Sequence, residues 1–110
     1  MSLRLPGRIT VERASASTGL QPIEHEILGE MASALGRAGD AAAKALAVLQ
    51  DPASGAQVVG SPERDAALRA AARAVHAFFI QRELCGMRRH DDIIREMAIP
   101  RAVLVRLGAR

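Results

Sequence analysis

Apolar residues recur at helical spacing through most of this chain, and the pattern breaks in only a few places. Ile23, Ile27, Met31, Ala34, Ala38, Ala41, Ala45 and Val48 follow a period of about 3.6 residues. A second line, Leu28, Leu35, Ala42 and Leu49, runs beside it at intervals of seven. The two lines predict one long helix from Gln21 to Asp51, with Pro22 in the first turn, where its missing N–H costs nothing. Glu24 and Glu26 suit the positive end of the helix dipole, and Pro52 forces Asp51 out of the α region. At ~1.5 Å per residue the helix is about 40 Å long. Gly29, Gly36 and Gly39 lie off the apolar lines and predict either a bend near Gly36–Gly39 or the close approach of another backbone.

Residues 51–60, DPASGAQVVG, have the composition of a loop. Ser61-Pro62-Glu63 then reads as N-cap, first-turn proline and first-turn acid. Leu68, Ala71, Ala72, Val75, Phe78 and Phe79 form one face of a second long helix that stops at Gly86. Two long helices joined by about ten residues pack antiparallel as a hairpin. A short helix capped at His90 or Asp91 runs through Met97, and a last one runs from Pro100 to Leu107. Ile93, Ile94, Met97, Ile99, Val103, Leu104 and Leu107 give this C-terminal pair an apolar side that must dock on the hairpin. Its short reach assigns it to the start of the first helix, around residues 23–31. Residues 1–20 show no helical period and mix Arg, Pro, Gly, Ser and Thr, as a flexible arm would. The domain organisation expected is therefore an arm, 1–20, and one helical domain, 21–110.

Composition sharpens this picture in one respect. With two aromatic residues and no Trp or Tyr, the core is built from aliphatic residues and much Ala. Such side chains bury little area each, so a chain of 110 residues gains from a partner. The net charge of +3 resembles a nucleic-acid signal, but the excess is small and is greatest in residues 61–90, with six basic against three acidic side chains. A single Cys cannot form an internal disulfide and fits a reducing compartment. No run is apolar enough to cross a bilayer, and the first residues carry no secretory signal, so the expected location is the cytoplasm.

Three stretches, IEHEILGEMASALGRAG, QRELCGMRRH and IIREMAIPRAVLVRLG, resemble a family of small, all-helical bacterial proteins of unknown function. The resemblance covers about residues 21–108. It implies the helical fold and a role for the QREL segment, and it carries no chemistry.

Candidate chemistry is sparse, and Arg82 is its most informative residue. It falls within the stripe of Leu68, Val75, Phe79 and Gly86, so its guanidinium must either snorkel past the helix end or meet a carboxylate. Glu26 and Glu30 at the start of the first helix, and Asp91 or Asp92 after the second, are the candidate partners. The expected role is an ion pair that clamps helix ends or a subunit interface; an anion site is the other reading. Cys85 lies near a helix C-terminus, where the dipole disfavours thiolate, and has no CxxC partner. His76 and Glu83 share a helix face, but no HExxH or ExxH spacing supplies further metal ligands. His25 projects away from the apolar lines. No cofactor is implied, and no catalytic constellation is found.

The expected fold is all-α: a long antiparallel hairpin plus two short C-terminal helices, completing a four-helix bundle as a homodimer. One apolar line of the first helix packs its partner in the hairpin. The other is left for a second copy, and Leu28, Leu35, Ala42 and Leu49 are the expected interface. The expected function is that of a non-enzymatic interaction or scaffold protein. The alternative is DNA binding by a helix-turn-helix-like pair in residues 91–107, with Arg101 and Arg106 on phosphates.

Overall fold

The structure, a computed structural model, describes residues 21–108. The arm expected at residues 1–20 lies outside them. Helix α1 spans Gln21–Gln50, a single 3₁₀ turn covers Pro52–Ser54, and α2 spans Pro62–Leu84. Two short helices follow, α3 (Asp91–Glu96) and α4 (Arg101–Leu104). No strand occurs among the described residues, and the all-α hairpin with a short C-terminal pair is the observed architecture.

The chain divides into two compact units, residues 1–33 and 34–110, with the boundary inside α1. In the first unit the described residues are the opening turns of α1, where Ile23, Ile27 and Leu28 are exposed. The second unit holds the hairpin core. Ala42, Leu46 and Leu49 of α1 are buried there with Ala67, Leu68, Ala71, Ala72, Val75, Phe78 and Phe79 of α2, together with Ile99 and Val103.

The hairpin settles which apolar line is covered, and it corrects the expected interface. Ala42 and Leu49 are buried within their own chain, Leu35 packs against that core, and only Leu28 is exposed. Positions 41 and 48 sit about 100° around the helix from 42 and 49, and there Ala41 and Val48 are exposed. The reason is size: Leu46 and Leu49 fill more of the space facing α2 than Val48 and the small side chains at 34 and 41.

Helix α1 continues unbroken through its glycines. Gly36 has open space beside it, whereas a Cβ on Gly39 would lie 3.2 Å from Cε1 of Phe78. What approaches Gly39 is therefore an aromatic ring and not a backbone.

The loop is held by its own polar groups. Ser54 Oγ lies within hydrogen-bond distance of the carbonyls of Val48 and Asp51, to which its one proton can be donated in turn, and Gln57 Nε2 donates to Gln50 O, a carbonyl that the end of α1 leaves open. Ser61 caps α2 by accepting from Arg64 N at 3.0 Å, and Arg64 Nη1 reaches back to Ala56 O.

At the far end of α2 the chain reverses. Gly86, at φ 92°, follows the last turn, with Met87 N donating to Arg82 O and Gly86 N to Glu83 O. This is a Schellman closure. It sends residues 87–108 back along α2, so α4 packs on α2 and Val103 is fully enclosed. The C-terminal pair therefore meets the last turns of α1, where Met97 borders a hollow with Ala43, Leu46, Ala47 and Gln50. That corrects its assignment to residues 23–31. A second closure ends α3: Ala98 N donates to Arg95 O and Ile99 N to Ile94 O. Ala98 takes the left-handed conformation, φ 51°, that glycine more often fills. Helix α4 is shorter than expected because the bonds from Arg106 N to Val103 O and from Leu107 N to Leu104 O skip three residues instead of four.

Candidate functional site

The reversal at Gly86 lays residues 89–90 against the last turns of α2 and gives Arg82 its surroundings. Arg82 is half-buried. Its Nε donates to His90 Nδ1 at 3.1 Å, its Nη2 donates to Arg89 O at 3.0 Å, and its guanidinium carbon lies 5.8 Å from the centre of the Phe78 ring. The other imidazole nitrogen, Nε2, is 2.9 Å from Glu83 Oε2. The ring itself stacks on Phe79, with centroids 4.1 Å apart and planes 5° from parallel.

These contacts set the histidine tautomer. A guanidinium has donors only, so Nδ1 must accept; a carboxylate accepts, so the proton sits on Nε2. Neutral His90 thus links a cation to an anion through its two nitrogens. The His90 side chain is only 14% exposed, and both its polar atoms are engaged, which leaves it no lone pair for base or nucleophilic chemistry. The same engagement explains why His90, although it precedes α3 as N-cap, makes no side-chain capping bond. The cluster fastens the end of α2 to the start of α3.

This replaces the ion pair expected from sequence. Asp91 pairs with the exposed Arg89 at 3.5 Å, and Asp92 pairs with Arg95 at 2.6 Å within α3. Neither is a partner of Arg82. Glu26 and Glu30 are exposed on the opening turns of α1, in the other compact unit. Sequence reasoning missed His90 because a helical wheel ends where the helix does. The available signal was Gly86, whose stop implies a chain reversal that returns the next few residues to the last turn of α2.

The remaining candidates separate. Cys85 is half-buried, and His25 and His76 are exposed. Arg101 is exposed, while Arg106 is half-buried with Nη1 donating to Ala102 O at 2.7 Å. A helix that reads DNA presents several turns to a groove. Helix α4 has four residues and its Val103 is sealed against the hairpin, so residues 91–107 form a corner. Among the described residues no three or more His, Cys, Asp or Glu side chains gather as metal ligands, and no helix is long and apolar enough to cross a membrane.

The architecture is thus that of a small all-helical protein whose polar cluster joins two helix ends. Over residues 1–110 the chain matches the model of a family described as "Family of unknown function (DUF6665)", and it belongs to that family. No curated protein and no solved structure matches it.

Proposed function

We propose that the chain is a non-enzymatic interaction module that assembles as a homodimer through α1. The observation that carries this reading is the row of apolar side chains left uncovered on that helix. In the first unit Ile23 and Ile27 are exposed, and in the second Ala41 is exposed and Val48 is 43% exposed. An exposed Val48 seven residues after an exposed Ala41 gives another helix an apolar line to pack on. The small side chains of Ala34 and Ala41 permit close approach.

A second copy fits that line in antiparallel register. Within the second unit Ala34 of one copy then meets Ala41 of the other, and each contact recurs by two-fold symmetry. The scarcity of large side chains in the core supports the same reading, because a small helical chain gains burial by pairing.

Sedimentation at micromolar concentration tests it. The expected result is a single species of twice the chain mass, converted to monomer by Val48→Glu with helical content unchanged. A wild-type monomer would refute the reading, as would a dimer indifferent to Val48→Glu.

A further inference from the structure

The docking of the C-terminal turns on α2 creates a cleft that the Arg82 cluster does not touch. It has a volume of about 630 Å³ and is lined by Asp65, Arg69, Ala72, Arg73 and His76 of α2 and by Arg106 and Gly108. The α2 residues fall on one helical face, and Ala72, buried and small, forms the floor. Arg106 closes the other wall.

The chemistry of the lining is one-sided. Three guanidinium groups and an imidazole face a single carboxylate, Asp65, giving a net charge of +2 with His76 neutral. No ion pair joins Asp65 to Arg69, Arg73 or Arg106, and neither Arg69 nor Arg73 has a hydrogen-bond partner among the described residues. Arg106 is held in place by its bond to Ala102 O, which uses Nη1 and leaves Nε and Nη2 free. Like charges on one face repel, and none of these three arginines has a carboxylate partner of the kind that Arg95 has in Asp92 and Arg89 in Asp91. Here three are left unanswered around a concavity.

We infer that this cleft binds a small molecule carrying a diphosphate group. Guanidinium groups match phosphate oxygens with paired, planar donors, and their charge persists at any physiological pH. Arg69 and Arg73 stand one turn apart, about 6 Å along the axis, and Arg106 comes from the opposite wall, so two adjacent phosphates are met from both sides. The volume lies in the range of a small-ligand site, about 300–1,000 Å³, and exceeds what one phosphate occupies. Asp65, the one acceptor at the rim, suits a hydroxyl on the rest of the ligand.

The three histidines of the chain make the test local. His76 lines the cleft, whereas His25 and His90 do not. The full-length protein is titrated with inorganic pyrophosphate at about 150 mM salt while the histidine ring signals are followed by NMR. The expected result is saturable movement of the His76 signal alone, with a dissociation constant below about 1 mM. Orthophosphate should bind at least about tenfold more weakly, since it engages fewer donors. Arg73→Gln should weaken pyrophosphate binding by about tenfold or more, and Arg88→Gln, outside the cleft, should leave it unchanged. An equal response to matched chloride would overturn the inference, as would equal weakening by both variants. Movement of His76 by duplex DNA with none by pyrophosphate would overturn it in favour of nucleic acid.

Discussion

Gly36 and Gly39 lie one turn apart on α1, and the structure gives them opposite fates when a methyl group is added. Both replacements by Ala gain helix propensity, worth about 1 kcal/mol each. At Gly36 a Cβ has nothing within 4 Å, so the gain is kept and Gly36→Ala should stabilise by about 1 kcal/mol. At Gly39 the new methyl would lie 3.2 Å from Phe78 Cε1 and 3.5 Å from Cζ. The ring has little room to retreat: Phe78 is 7% exposed, Phe79 lies 6.5 Å away between centroids, and Arg82 stands over its face. Overpacking a filled site costs about 1–3 kcal/mol. The net for Gly39→Ala is then neutral to destabilising by about 2 kcal/mol, and the two variants should differ by roughly 1–3 kcal/mol. Urea unfolding at one fixed protein concentration measures this, with concentration held constant because association shifts apparent stability. A Phe78→Leu background should remove most of the penalty, as a coupling energy in a double-mutant cycle. If Gly39→Ala stabilises as much as Gly36→Ala, the Phe78 ring does not pack on Gly39 and α1 and α2 dock differently.

Two further outcomes follow from the C-terminal half. Arg82→Met removes the bonds to His90 and Arg89 but keeps the packing on Phe78. It should cost about 1–2 kcal/mol, well short of the roughly 3–5 kcal/mol of a stranded buried acid. In the same variant His90 should lose its single tautomer, which a long-range proton–nitrogen NMR spectrum reports directly; wild-type protein with the proton on Nδ1 would contradict the Arg82–His90–Glu83 linkage. Ala98→Gly relieves a left-handed alanine and should stabilise by about 0.5–1 kcal/mol, after the extra chain entropy of glycine is subtracted. An unchanged or lowered thermal midpoint would show that the turn at Ala98 is not strained.

Periodicity, caps and breakers were enough to place the four helices of the described residues, because each is a local property of neighbouring residues. Pro22, Ser61-Pro62, Gly86 and Pro100 mark ends that the backbone must obey whatever packs around them. The buried face of α2 was equally legible, since Leu68, Ala71, Ala72, Val75, Phe78 and Phe79 repeat on one side and all six are buried. Assignment of partners was another matter. Two apolar lines on α1 have similar patterns, and only the docked hairpin decides that Ala42 and Leu49 face inward while Ala41 and Val48 face out. Arg82 is half-buried, and its partner is an imidazole eight residues on, brought back by the turn at Gly86. The cleft joins Arg106 to Arg69 and Arg73 across more than thirty positions of chain, a meeting that no spacing rule encodes. Local backbone preferences act over a few residues and can be read in order; contacts between elements depend on how the faces dock, and those exist only once the chain has folded.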